Sequence, residues 1–206
     1  MTSGAPIWKR MRACRRACDV SALDEVLAAV AAAMHENAWR WYLFGAQAAT
    51  LWGRPRLTAD VDITAEIPFE SLDSFVEAMK RRGFTLRFDD REFVNRTRVF
   101  PFLHDRTGVP LDVVLAGPGL EEEFLDRAIN VQFEGTAVPV ISPEDLIVTK
   151  VLSGRAKDVE DVRGVLRERA GSLDIGRIRR TLHLLEEALA QSDLLMIFET
   201  ELGKLR

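Results

Sequence analysis

The sequence predicts a mixed α/β fold, in which a small mixed sheet is flanked by helices and followed by a C-terminal helical segment. Short apolar and aromatic runs alternate with helical patterns as far as residue 141. A strong helix start follows at Ser142-Pro143, and helical periodicity continues from there to Arg206. The length of 206 residues suits one core with such an addition. We therefore expect a basic arm over residues 1–20, a core over 21–141 and a helical subdomain over 142–206.

The first elements of the core follow from local patterns in chain order. Ser21 and the acid three residues later resemble a capping box, which opens a helix reaching Asn37. A short aromatic strand then ends at Gly45, and a helix is expected over 46–52. The later elements are a strand over 57–63, a helix over 69–82, strand-like runs over 84–88, 93–100 and 111–115, a helix over 121–128, and a hairpin of 131–133 with 138–141.

Charge is distributed unevenly along the chain. The formal net charge of −4 is not typical of a general nucleic-acid-binding domain, which is usually basic. The first turns of chain, however, carry only basic charges. Two interpretations stay open for this arm: a solvated terminus, or a segment that contacts RNA or an acidic partner. The residues concerned are Lys9, Arg10, Arg12, Arg15 and Arg16.

The cysteines and the hydropathy pattern bear on the cellular setting. Cys14 and Cys18 are the only cysteines, and no histidine lies nearby to complete a zinc site. A reducing cytoplasm is the simpler context for them. No apolar stretch approaches the roughly 20 residues that span a bilayer, so we expect a soluble protein without a membrane partner.

A pair of acids at residues 60 and 62 gives the main indication of function. Asp60 and Asp62 alternate with Val61 and Ile63. Because side chains on a strand alternate between faces, both carboxylates are expected to face one way. Two carboxylates on one face repel each other, and a divalent cation such as Mg²⁺ relieves that repulsion while leaving other positions for water and phosphate. The pair therefore indicates metal-dependent phosphate chemistry.

Two further features favour the same chemistry. Gly45 lies where a strand passes into a helix, and a helix N-terminus can bind phosphate through its backbone N–H groups. Asp112 is a single acid within an apolar run, where a lone buried charge would cost several kcal/mol. It is therefore expected at a strand end or at a shared polar site. If its strand adjoins the strand of Asp62, the three carboxylates could hold two metal ions.

These residues together resemble the DNA polymerase beta nucleotidyltransferase superfamily. The resemblance rests on Gly45-Ala46, on the Arg-x-Thr-x-Asp-x-Asp pattern over 56–62, and on Asp112. The run over 145–150 and the Gly-Arg-x-Lys-Asp-x-x-Asp pattern over 154–161 are similar to its AbiEii-like branch. Many members of that branch are toxins of bacterial toxin–antitoxin pairs. The resemblance covers roughly residues 40–165.

The resemblance implies a nucleoside triphosphate substrate and two Mg²⁺ ions, with Mn²⁺ as an alternative. Asp60, Asp62 and Asp112 would be catalytic and would hold the metal. The implied reaction is attack of a hydroxyl on the α-phosphate, with release of pyrophosphate. The acceptor would be RNA, including tRNA, or protein, and a cognate antitoxin would be a partner. The nucleotide-binding residues would be Gly45, Ala46, Arg56, Thr58, Lys150, Asp158 and Asp161.

One position departs from the superfamily pattern. The serine that usually follows the glycine is Ala46 here, so a hydroxyl that would bind phosphate is missing. Since a hydrogen bond contributes about 1 kcal/mol net, and more to a charged group, its loss weakens nucleotide binding several-fold or more without removing the acids. The sequence therefore supports two hypotheses: an active enzyme, or a weak or inactive nucleotide-binding or partner-binding protein that keeps the fold.

Overall fold

In the computed structural model, which describes residues 21–55, 58–88 and 90–205, a seven-stranded mixed sheet forms the centre of the molecule. The strand order is β3-β4-β5-β2-β1-β7-β6. The predicted fold class is confirmed. The strands are β1 (Arg40–Leu43), β2 (Val61–Glu66), β3 (Phe84–Leu86), β4 (Val99–His104), β5 (Pro110–Leu115), β6 (Ile129–Phe133) and β7 (Thr136–Val140).

Nine α-helices accompany the sheet in the described part of the chain, and a 3₁₀ turn at Phe69–Ser71 precedes the third. From residue 143 to the end of the described chain every regular element is a helix, as expected. The division into domains stays a prediction. The helices are α1 (Ala22–Glu36), α2 (Gly45–Trp52), α3 (Leu72–Arg81), α4 (Arg91–Thr97), α5 (Leu120–Asp126), α6 (Pro143–Ser153), α7 (Ala156–Arg169), α8 (Ile175–Leu189) and α9 (Leu194–Gly203).

The pairing of β2 with β5 places the two halves of the candidate site side by side. The strands run parallel, and Asp62 is the register partner of Asp112. On the opposite face of both strands the alternate residues are buried in the hydrophobic core. The strand period of two therefore directs both carboxylates away from that core. The buried partners are Val61, Ile63 and Ala65 of β2 and Leu111, Val113 and Leu115 of β5.

The expected strand over residues 93–100 was wrong in its first part. Residues 91–97 form helix α4, and β4 begins only at Val99. The Asp90 carboxylate caps this helix by accepting a hydrogen bond from the Phe93 N–H at 3.0 Å. Arg98 ends it in the left-handed conformation, with φ at 60°. Likewise, β2 begins at Val61, so Asp60 immediately precedes the strand instead of lying within it.

The C-terminal helices contact the core through backbone as well as side chains. The indole N–H of Trp52, the last residue of α2, donates to the carbonyl of Ile141, which lies just before α6, at 2.8 Å. Next to it, a Cβ built on Gly53 would lie 2.8 Å from the backbone nitrogen of Val165 in α7. A Cβ on Gly164 of α7 would lie 3.3 Å from the backbone nitrogen of Arg54, the residue after Gly53. A side chain at Gly53 would therefore force the end of α2 away from α7, and one at Gly164 would fit only if its neighbour moved slightly.

Some sequence predictions lie outside the described residues. They are the basic arm over 1–20, which includes Cys14 and Cys18, and the candidate nucleotide-binding residue Arg56. Within the described ranges, no helix has the length and apolar character needed to cross a membrane.

Candidate active site

A cleft of about 440 Å³ opens where the end of β1 and the start of α2 face helices α6 and α7. The start of β2 and the residue before it supply Asp62 and Asp60, and basic side chains come from α6, from α7 and from the turn between them. Most of the predicted site residues therefore meet in one place. The cleft is lined by Phe44, Gly45, Ala46, Thr58, Asp60, Asp62, Thr149, Lys150, Ser153, Arg155, Lys157 and Asp158.

The start of α2 is built around the carboxylate of Asp62. Gly45 has φ at +64°, and a Cβ placed on it would lie 2.0 Å from Oδ2 of Asp62. The backbone N–H of Ala46 donates a hydrogen bond to the same carboxylate. A glycine is thus required here because the carboxylate occupies the space of a side chain. The helix N-terminus, which the sequence predicts as a phosphate site, already binds a carboxylate of the protein.

The acids at this edge of the sheet perturb one another. Burial raises the pKa of Asp62, and the nearby charges of Asp112 and Asp60 raise it further, while Lys150 lowers it. Burial also raises the pKa of Asp112, which the Arg87 guanidinium lowers and Asp60 raises. The charges of neighbouring acids therefore act on both Asp62 and Asp112, as expected for acids that share a site.

The donor set suits a divalent metal, although the acids are not arranged as a finished site. Among the described residues, no group of three or more His, Cys, Asp or Glu side chains stands ready to hold a metal ion. Asp62 and Asp112 are nevertheless in register on adjacent strands, which lie about 4.8 Å apart in such sheets. Carboxylate oxygens under mutual repulsion are ligands that Mg²⁺ prefers. Asp60, Asp62 and Asp112 therefore fit such an ion by charge and donor type.

Lys150 lies in a buried network with two acids of α7. Its ammonium contacts Asp158 at 2.7 Å and Asp161 at 2.8 Å. Burial alone would raise the pKa of Asp158, but hydrogen bonds from Lys150, Ser153 and Arg155 outweigh it and lower the value to about 2. The charge of Lys150 is thus already balanced by two carboxylates, so this lysine fixes the wall of the cleft.

Three basic residues near the site were absent from the predicted set. Arg155, whose side chain is 63% exposed, and Lys157 line the cleft on the side of α7. Both stand in the sequence pattern over 154–161, so that pattern could have identified them. Arg87 reaches Asp112 from just beyond β3. Arg87 lies two residues after Thr85, so strand alternation would have predicted that the two side chains share a face of the sheet. Nothing in the neighbouring sequence indicates that Asp112 is the partner of Arg87.

Solved structures share this fold at low identity. The solution structure of the antibiotic-resistance factor ANT(2'')-Ia aligns with a TM-score of 0.56 and 15% identity, covering 84% of this chain and 97% of that one. A crystal structure of the same factor in complex with adenylyl-2''-tobramycin gives 0.54 and 16%, with 78% and 97% covered. An antigenic nucleotidyltransferase-like protein from Paracoccidioides brasiliensis gives 0.55 and 17%, with 86% and 92% covered.

Sequence comparison identifies the family. No curated protein matches the chain. The model of a family described as nucleotidyltransferase of unknown function (DUF6036) matches residues 20–193, which is most of the chain. This match and the shared fold support the nucleotidyltransferase superfamily that the motifs indicated, without singling out the AbiEii-like branch. The chain belongs to the DUF6036 nucleotidyltransferase family.

Proposed function

We propose that this protein is a divalent-metal-dependent nucleotidyltransferase, which moves an NMP group from a nucleoside triphosphate to a hydroxyl acceptor. The observation that carries the proposal is the register of Asp62 with Asp112 on adjacent parallel strands, beside a cleft with a basic wall. Acids alone would repel a triphosphate, and basic residues alone would give binding without chemistry. Their combination suits phosphoryl-group transfer.

Asp60, Asp62 and Asp112 would hold the metal. We propose two Mg²⁺ ions, with Mn²⁺ as an alternative. When bound, the metal would supply positive charge that offsets the charge developing on the transferred phosphoryl group. The repulsion among these acids supports this assignment, because burial and the nearby charges of Asp112 and Asp60 raise the pKa of Asp62.

The chain's own residues would orient the substrates. Arg155 and Lys157 are exposed in the cleft and would contact the phosphates, with Thr58 and the start of α2 beside them. Lys150 would act through its bonds to Asp158 and Asp161, which hold α6 against α7. Asp112 would accept the proton of the acceptor hydroxyl. The hydroxyl oxygen would then bond to the α-phosphorus as the bond to the bridging oxygen breaks, and pyrophosphate would leave.

The acceptor and the biological role are finer proposals. An RNA, including tRNA, or a protein hydroxyl would be the acceptor. A toxin role with a cognate antitoxin in the cytoplasm rests on the resemblance to the AbiEii-like branch. The structural similarity to ANT(2'')-Ia adds a small-molecule hydroxyl as a further acceptor class to include in the assay, since one of those structures holds adenylyl-2''-tobramycin.

A second function is a nucleotide-binding or partner-binding protein without catalysis. Two observations favour it: Ala46 lacks the usual hydroxyl, and Arg87 occupies one oxygen of Asp112. Both proposals predict nucleotide binding, and they differ only in whether a product forms. Nucleotide would bind, and no acceptor would become labelled.

Incubation with Mg²⁺, each labelled nucleoside triphosphate and separate pools of tRNA, other RNA, protein and aminoglycoside tests the proposal. Label transfer is expected from the native protein, with at least a hundredfold loss in Asp62→Asn and Asp112→Asn. Glu66→Gln is the matched control, because Glu66 ends the same strand and its side chain forms an exposed pair with Arg40. Transfer that survives both aspartate substitutions would contradict the proposal, and binding without transfer to any acceptor would favour the second function.

A further inference from the structure

Arg87 is held in line with the two sheet acids by the backbone of β4. Its N–H donates to the carbonyl of Pro101 at 2.8 Å, and Pro101 is the register partner of Asp112. Asp112 in turn is the register partner of Asp62. The three charged residues therefore lie in one row across the sheet. Alternation from Thr85, which is exposed, places Arg87 on the face of the acids.

The guanidinium of Arg87 contacts one oxygen of Asp112 only. The contact joins Nη2 to Oδ1, and no bond of Arg87 to Oδ2 accompanies it within the described residues. Both side chains remain about one-third exposed, at 34% for Arg87 and 35% for Asp112. The pair is therefore open to solvent and screened by it, so that a stronger cation can compete for the carboxylate.

Each of the two sheet acids has a different source of positive charge. The carboxylate of Asp62 accepts the N–H of Ala46 and lies within the field of Lys150, whose position is fixed by its own acids. Asp112 has the flexible side chain of Arg87, which crosses β4 to reach it. Of these two arrangements, the exposed arginine is the one that can move away without breaking buried hydrogen bonds.

We propose that Arg87 competes with the divalent cation for Asp112, pairing with the carboxylate in the metal-free protein and yielding it when the metal binds. This inference rests on the proposed function, which assigns Asp112 to the metal. Arg87 is thus a positioning residue that sets the metal affinity and keeps the acid near the sheet when the site is empty. Because the displaced pair is exposed and the departing cation is repelled by the metal, the competition weakens metal binding about three- to tenfold.

Direct measurement of Mn²⁺ binding by electron paramagnetic resonance tests this inference at fixed pH and ionic strength. Mn²⁺ serves as the probe, with no nucleotide present. Arg87→Gln is expected to bind it about three- to tenfold more tightly than the native protein. Arg82→Gln is the matched control, because Arg82 is 35% exposed, pairs with Glu36 and lies outside the row of acids. This control removes the same net charge and is expected to leave the affinity unchanged.

A double-mutant comparison separates a local effect from a general one. In an Asp112→Asn background the Arg87→Gln substitution is expected to have no effect, because the competition acts through that carboxylate. Circular dichroism of each variant checks that the fold is retained. Unchanged or weaker Mn²⁺ binding in Arg87→Gln, while the native protein binds and Asp62→Asn does not, would overturn this inference alone. Absence of specific binding in every protein would overturn the metal assignment as well.

Discussion

Replacing Gly45 by alanine tests whether the start of α2 is built around Asp62. A methyl group there would lie 2.0 Å from Oδ2 of Asp62, and the backbone is left-handed with φ at +64°. The left-handed conformation costs about 1–2 kcal/mol for alanine. Moving the carboxylate away breaks its bond from the Ala46 N–H and adds roughly 1–3 kcal/mol. We expect the free energy of unfolding to fall by about 2–5 kcal/mol.

Gly108→Ala provides the matched control for that experiment. Gly108 has φ at +68°, almost the same as Gly45, but a Cβ there would meet nothing within 4 Å. It therefore carries the backbone cost of about 1–2 kcal/mol without the contact. Urea unfolding of both variants gives the comparison, and combination with Asp62→Ala should recover part of the extra loss in Gly45→Ala. Equal destabilisation of the two glycine variants would refute the reasoning.

Three further predictions concern the cleft and its supports. Asp158→Asn should lower the free energy of unfolding by about 2 kcal/mol at neutral pH. Because the folded-state pKa of Asp158 is depressed, this loss should be complete above about pH 4 and should disappear as the pH falls towards 2. Glu199→Gln, which removes an acid from an exposed pair, should change the free energy of unfolding little at any pH. Ala46→Ser restores a hydroxyl, and calorimetric titration with a non-hydrolysable nucleoside triphosphate should show several-fold tighter binding. Asp145→Ala leaves Arg127 without its two 3.0 Å bonds to a buried acid, although Glu123 still pairs with it. The free energy of unfolding in urea should fall by about 2–3 kcal/mol, and a loss below about 1 kcal/mol would contradict the structural role of this pair.

The parts of the fold that were predictable from sequence depend on contacts between near neighbours in the chain. Ser142 caps α6 as its Ser-Pro start predicted, accepting the Asp145 N–H at 3.2 Å. The helix over 91–97 was missed because Phe93 and Val94 are aromatic and β-branched residues typical of strands. The Asp90 cap is a single hydrogen bond, which many aspartates make elsewhere.

The candidate site was predictable in its residue types and less so in its contacts. An acid in an apolar run required a polar neighbour, which is why Asp112 could be related to Asp62 before the register was known. The contact of Asp62 with Gly45 is different. Two residues separated by seventeen positions meet there because of a strand pairing, and no periodicity encodes that distance. Arg87 contacts Asp112 across strand β4, so this pair depends on the order of three strands, which no local sequence pattern indicates.

The close approach of Gly53 to Val165, together with Gly164, has a consequence for how ligands enter. A gap held open by side chains can widen when those side chains change rotamer, but backbone in direct contact has no such freedom. The end of α2, the helix that begins beside Asp62, and helix α7, which carries Asp158, are therefore held in direct backbone contact. At this contact the two helices have no room to approach each other further. We therefore expect the long side chains at the rim of the cleft, above all Arg155 and Lys157, to make the movements that enclose a substrate.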